Sequence, residues 1–341
     1  MNIVITGGAG FLGARLARTL LQQGHVVLAG AAPQPVSRLI LVDQVAPPPE
    51  LTADVRVAAV IGDLNALLKP DQAPTPAIPS DTAIVFHLAA AVSGECEADF
   101  DLGMRSNLDG TRALLEACRA LGSAPTVVFA SSLAVFGDSP EQPAPPVITD
   151  TTLPTPQTSY GIQKFICEQL VADYGRKGFI RARNVRLMTV SVRPGKPNGA
   201  ASSFLSGMIR EPLAGTRAPC PVPPDTAVAL SSPGLTIKGL LRAAGASDAD
   251  WGPRTAINLP ALTTTVGEMA VALERVAGKN VSALIDWTPG PVIRKIVATW
   301  PAHINAERAR ALGLLPDDSF EAIVRDYARE NPQAVTLALQ S

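Results

Sequence analysis

At 341 residues the chain has room for one large α/β domain and a smaller appended part. Hydrophobic residues make up 47% and charged ones 17%, ordinary proportions for a globular protein. A net charge of -1 with 4% aromatics excludes nucleic acid or an anionic membrane as the main partner. No apolar run is long enough to span a bilayer. Met1 leads straight into an apolar strand, which leaves no room for a signal peptide, so a cytoplasmic location is expected. The four cysteines lack C-x-x-C spacing and read as small buried apolar residues. The three histidines are too scattered for a metal site, and no metal is expected.

The chain opens on Asn2-Ile3-Val4-Ile5 and breaks into Thr6-Gly7-Gly8-Ala9-Gly10-Phe11-Leu12-Gly13. A β-branched run, a glycine turn and an amphipathic run read as strand, turn and helix. Gly7 permits the sharp turn, Gly10 lets the backbone approach a pyrophosphate, and Gly13 lets the helix pack closely on the sheet. The free N–H groups of that helix then face the phosphates. The helix is expected over residues 11–23, with Gly24 as its stop.

Two segments compete for the next strand. Val26-Val27-Leu28 is one; Arg38-Leu39-Ile40-Leu41-Val42, ending in Asp43, is the other. An acidic residue after the second strand accepts hydrogen bonds from the adenosine ribose and repels a 2′-phosphate, which selects NAD. Asp43 lies 30 positions beyond Gly13 where roughly 20 is usual, so an insertion across residues 29–36 is expected. Residues 55–61 read as strand three. Asp63 after it either meets the adenine amino group or caps the next helix. Residues 67–80 read as a surface loop. Residues 83–88 form an apolar run of the kind buried on both faces of a parallel sheet, followed by three alanines from Ala89.

One helix is expected over residues 101–121, containing Asn107 as an anchor or a solvated residue. A strand over 126–129 ends in Ser131-Ser132, a helix covers 160–174 and a strand 184–191. From 193 to 253 prolines and glycines loosen the pattern. One strand (256–259) and two helices (266–277 and 320–328) follow. Strand–helix alternation implies an α/β fold, a Rossmann-type doubly wound parallel sheet over residues 1–192. Residues 193–341 are expected to form a small, mostly substrate-binding part that interleaves with it.

Tyr160-Gly161-Ile162-Gln163-Lys164 places a phenol and an ammonium one turn apart on one helix face. The ammonium is expected to lower the phenol's pKa, giving a general base for an alcohol proton. Ser132, favoured over Ser131, would donate to the substrate oxygen. Arg193 and Asn198 follow the sixth strand, and a cation there suits a carboxylate. Ser93 and Glu95 could face the same pocket.

In this order these motifs resemble the extended short-chain dehydrogenases/reductases, as do Asp63-Leu64, His87-Leu88-Ala89-Ala90, residues 129–137 and residues 303–314. The resemblance spans nearly the whole chain. It implies a catalytic Ser132, Tyr160 and Lys164. For NAD or its support it implies Gly7, Gly10, Gly13, Asp43, Asp63 and Asn107, and Phe11, Leu12, Leu64, Ala89, Tyr160 and Lys164 are expected at the same cofactor site. Residues 86–102 and 193–204 resemble a branch that oxidises the C2 hydroxyl of a four-carbon sugar acid, which implies Ser93, Ser132, Tyr160, Arg193 and Asn198 around the substrate. Phe136 and Met188 depart from the usual Tyr and Pro. Many members dimerise through the two helices around Asn107 and Tyr160, so a homodimer is expected. The competing readings are a nucleotide-sugar epimerase with tightly bound NAD and a catalytically silent NAD-sensing module.

Overall fold

Apolar side chains that alternate along consecutive strands must be covered on both faces, and that requirement builds the molecule. The computed structural model describes residues 1–69, 74–337, 339 and 340. The strands labelled below, in chain order, are β1 (Asn2–Thr6), β2 (Arg38–Asp43), β3 (Val57–Ile61), β4 (Thr82–His87), β5 (Thr126–Ser132), β6 (Arg181–Leu187), β7 (Thr189–Val190), β8 (Ala227–Ser231), β9 (Ile257–Asn258) and β10 (Leu262–Thr265). The helices used below are α1 (Phe11–Gln23), α2 (Gly110–Ala120), α3 (Ser159–Arg176), α4 (Ser203–Leu213), α5 (Pro233–Gly245), α6 (Val266–Ala277) and α7 (Phe320–Glu330).

Seven strands form one sheet in the order β3-β2-β1-β4-β5-β6-β9, every neighbouring pair parallel. The fold is thus the expected doubly wound α/β architecture. Ile3, Ile5, Leu39, Leu41, Ile84 and Phe86 enter the core on one face. Val4, Ile40, Val42, Val85, Val127 and Phe129 enter the core on the other. The order reverses between β1 and β4, and a crevice opens outside the carboxyl ends at such a reversal. A second sheet, β7-β8-β10, pairs β8 parallel to β7 and antiparallel to β10. Beside it a third core gathers Leu205 and Met208 of α4, Met269 and Leu273 of α6, and Ile323 and Val324 of α7.

The structure settles the ambiguous second strand. Arg38–Asp43 lies beside β1, while His25–Val26 pairs with Gln34–Pro35 as a short antiparallel hairpin. That hairpin is the insertion which delays Asp43. The single helix expected over 101–121 is divided instead: a turn at Phe100–Gly103, a π-helical stretch at Met104–Asp109, then α2. The loop expected over 67–80 is only partly at the surface. Leu68, Ala77 and Ile78 are buried in the sheet's second core, and residues 70–73 lie outside the described residues.

The segment from 193 to 253 is more regular than its composition suggests, holding α4, β8, α5 and shorter pieces. Pro233 sits in the first turn of α5, where a proline costs no hydrogen bond, and Ser232 caps that helix through the Leu235 N–H. A proline there starts a helix instead of breaking one. Residues 266–277 form α6 as expected, with a capping box between Thr265 and Glu268.

Candidate active site

The crevice at the strand ends is a cavity of about 710 Å³. At its base the Gly7 and Gly8 N–H groups donate to Val42 O at 2.8 and 3.2 Å. Gly7 has φ +71°, a conformation that favours glycine. A Cβ at Gly13 would lie 2.1 Å from Gly7 O, so α1 approaches the loop closer than any other residue allows. Gly10 precedes α1 and offers no side-chain cap, which leaves the first N–H groups of the helix for an anion. Asp43 stands across the loop, its Oδ2 accepting from the Ala9 N–H at 2.9 Å and its Oδ1 from Gln44 N–H at 2.7 Å. Asp63 caps the short helix Leu64–Leu67, accepting from the Ala66 N–H at 3.1 Å, and also lines the cavity. The capping reading of Asp63 is thus observed, at a position on the cavity wall. Glycine loop, bare helix end and carboxylate fit a dinucleotide.

The wall after β4 is held from behind. Asn107 Oδ1 accepts from the Ala91 N–H at 2.8 Å, and its Nδ2 donates to Gln163 Oε1 at 2.8 Å and to Ala91 O at 3.2 Å. Asn107 is buried and does not line the cavity; it supports the segment that does. His87 sits 2.6 Å from Thr6 Oγ1 and 3.0 Å from Thr111 Oγ1, joining β1, β4 and α2. Burial, with the Lys164 charge added, pushes its pKa down to about 3.

On the opposite wall, Thr158 caps α3 by accepting from the Gly161 N–H at 3.1 Å. A Cβ at Gly161 would lie 2.1 Å from Ala134 O, so the first turn of α3 is pressed against the turn that follows Ser132. This is why Ser132, Tyr160 and Lys164 line the same cavity. Lys164 is buried; its Nζ donates to Ala130 O at 2.9 Å and lies 5.7 Å from the Tyr160 ring centroid. Burial lowers its pKa to about 8, against the influence of Cys167, Cys96 and Glu168. The expected lowering of the Tyr160 pKa is not found. Burial pushes that phenol up to about 12, with the neighbouring Ser132 hydroxyl pulling the other way. The physical reason is that Lys164 points its ammonium at the Ala130 carbonyl, and desolvation of the phenolate outweighs it.

Ser93, Arg193 and Asn198 line the outer end of the cavity. Ser93 is largely engaged by the fold, its Oγ accepting from the Ala201 N–H at 3.1 Å. Asn198 Oδ1 likewise accepts from the Ala200 N–H at 3.2 Å. Arg193 is half-buried and forms no ion pair among the described residues; its Nη2 reaches only Lys196 O at 3.4 Å. Burial and the nearby Arg210 lower its pKa, so an anion is the partner its surroundings lack. Every other cofactor and substrate residue read from the sequence, Phe11, Leu12, Leu64 and Ala89 included, lines this cavity. Sequence reading missed Ser106, Thr189 and Trp300, which also line it. Trp300 lies just before the 303–314 segment, outside every motif read for the site, so only tertiary packing reveals it.

A model of the NAD dependent epimerase/dehydratase family matches residues 3–227. The chain belongs to that family. Its fold, the Rossmann sheet with a glycine loop, and its cofactor, NAD, follow, and it is an NAD-dependent oxidoreductase of the extended short-chain dehydrogenase type. The D-erythronate dehydrogenase of Cupriavidus necator is 51% identical over 97% of this chain and 98% of its own length. The D-erythronate dehydrogenase of Haemophilus influenzae is 40% identical over 96% and 98%. Among solved structures, a nucleoside-diphosphate-sugar epimerase from Agrobacterium tumefaciens is 40% identical with a TM-score of 0.87, covering 98% of this chain and 95% of that one. The L-threonine 3-dehydrogenase of Trypanosoma brucei, 23% identical with a TM-score of 0.80, shares the fold. No helix among the described residues is long and apolar enough to cross a membrane.

Proposed function

We propose that this family member oxidises the C2 hydroxyl of a four-carbon sugar acid, D-erythronate to 2-keto-D-erythronate. The observation that carries the reading is an Arg193 guanidinium without an acidic partner among the described residues, in the cavity that also holds Ser132, Tyr160 and Lys164. The similarity to two D-erythronate dehydrogenases over almost their full length supports the substrate. NAD, when bound, would supply the acceptor for the C2 hydride. Gly7, Gly10 and Gly13 would hold its diphosphate, Asp43 and Asp63 its adenosine, and Lys164 a ribose.

Tyr160 takes the proton of the C2 hydroxyl, and Ser132 donates to the same oxygen and fixes it. Lys164 favours the phenolate form. Arg193 binds the carboxylate, with Ser93 and Asn198 beside it, so residues 193–341 are chiefly the substrate side. Purified protein given NAD and D-erythronate forms NADH; a flat trace across the four-carbon sugar acids overturns the reading.

Epimerisation of a nucleotide sugar is the second reading, favoured by the name of the Agrobacterium relative. Such a substrate brings a further diphosphate, and the cations lining the cavity among the described residues are Lys164 and Arg193 alone. Calorimetric titration with UDP-sugars distinguishes the two, since the dehydrogenase reading gives no heat. The four cysteines are free and buried, which suits a reducing compartment such as the cytoplasm. A homodimer built on α3 and the helical segment around Asn107 is part of the same proposal.

A further inference from the structure

Four residues beyond Lys164, on the same face of α3, stands a carboxylate that the proposed chemistry leaves unused. Glu168 is 1% exposed. Its Oε1 accepts from the Ser131 hydroxyl at 2.5 Å and from Arg186 Nε at 2.9 Å, and its Oε2 accepts from Arg186 Nη2 at 2.7 Å. Its backbone carbonyl accepts from Asn184 Nδ2 at 2.9 Å. Ser131 and Arg186 are register partners across β5 and β6, so one carboxylate ties the helix to two adjacent strands. The Arg186 guanidinium also lies 4.8 Å from the centroid of Phe136, just past the turn that Ser132 caps.

A buried ion pair is weak evidence for stability, because desolvating both charges offsets their attraction. Apolar side chains of equal volume would fasten α3 as well. They would not fix three backbones with directional bonds. Consecutive strand residues point to opposite faces, so clamping Ser131 on the α3 side turns Ser132 toward the cavity. Lys164, one turn earlier on α3, is seated on Ala130 O, the residue before Ser131.

We infer that Glu168 is a positioning residue, which through Ser131 and Arg186 sets the direction of Ser132 and the seat of Lys164. The inference rests on the proposed roles of Ser132, Tyr160 and Lys164. The groups that influence or adjoin Lys164 are Tyr160, Cys167 and Glu168 on α3, Cys96 from the helix Ser93–Ala98, and His87 on β4. Burial keeps both thiols and His87 uncharged near neutral pH. Glu168, one turn along α3 and paired with Arg186, is the carboxyl group among the influences that favour the Lys164 ammonium.

Glu168→Gln removes the charge and keeps the shape. In the lysine-labelled full chain, the NMR titration midpoint of Lys164 is expected to fall by about one pH unit. With NAD and D-erythronate, kcat falls about 10²-fold, NAD affinity by calorimetry stays native, and the basic limb of kcat moves to lower pH with the midpoint. An unmoved midpoint overturns the inference whatever happens to kcat, because a merely structural role lowers rate without moving a titration. Should this variant fail to fold, Ser131→Ala decides. It keeps the ion pair, and about a 10-fold loss of kcat is expected, whereas native kcat overturns the inference. Tyr160→Phe, assayed alongside, separates the two levels. If it remains active the proposed chemistry fails; if it is inactive while Glu168→Gln is native, only the role of Glu168 fails.

Discussion

At the scale of single residues, the proposed reaction needs Tyr160 as a phenolate, while burial holds that phenol at about 12. The positive charges facing it therefore decide whether it works as a base. Tyr160→Phe removes the base without changing the shape of the pocket, and kcat is expected to fall by about 10²–10⁴-fold while NAD still binds; native turnover would refute the assignment. Lys164 reaches half-protonation at about 8, so turnover declines as pH rises through that value, the deprotonated amine no longer favouring the phenolate. Arg193 is proposed to act on binding. Losing a charge-assisted pair costs about 1.5–3 kcal/mol, so Arg193→Met raises KM for the sugar acid about 10- to 100-fold and leaves NAD affinity alone. Equal KM values in steady-state kinetics would move the carboxylate elsewhere. That Ser132, Tyr160 and Lys164 meet in one cavity was legible because Y-x-x-x-K fixes two side chains on one helix face and a serine pair marks a strand end. Trp300 was not, since nothing local marks a side chain delivered from the C-terminal region.

At the scale of elements, the strand–turn–helix around the glycines was readable because Gly7 and Gly13 answer contacts that a Cβ would violate. Gly13→Ala puts a methyl group 2.1 Å from Gly7 O, and that backbone cannot yield without moving α1. Overpacking of this kind costs about 1–3 kcal/mol, and NAD affinity by calorimetry is expected to fall at least about 10-fold with it; native affinity would show that the loop tolerates the shift. The division of the 101–121 helix was not readable. Its π-helical stretch carries Asn107, which bonds Ala91 and Gln163, partners 16 residues before it and 56 after it. The same junction makes a pH prediction. Folded, His87 protonates only near 3, while in the unfolded chain it protonates near 6.5. Between those values the unfolded state binds more protons, so stability is full above 6.5 and falls as pH drops toward 3. Urea titrations at about pH 7 and about pH 5 are expected to differ by about 2 kcal/mol less in His87→Gln than in the native chain. An equal difference would mean His87 is not the group responsible.

At the scale of the whole molecule, the doubly wound sheet was legible because buried parallel strands read as unbroken apolar runs. The region after Arg193 was not, because its order comes from contacts between distant pieces: β8 sits between β7 and β10, and α4, α6 and α7 share one core. The proposed homodimer makes a prediction at this scale. Ile162 and Ile166, one turn apart on α3, are 45% and 38% exposed, and Phe100, at the start of the neighbouring helical segment, is 60% exposed. Apolar side chains on the outer faces of two helices beside the catalytic wall are poorly placed in water. A two-fold pairing would bury each set against its copy in a four-helix interface. Light scattering of the native chain is then expected to give twice the mass of one chain. The double variant Phe100→Asp/Ile166→Asp forces like charges together across the two-fold axis, and it is expected to run at the mass of a single chain with NAD affinity retained. A native chain that scatters as one copy at every concentration tested would remove the interface. A variant that stays paired would move it to another face of the molecule.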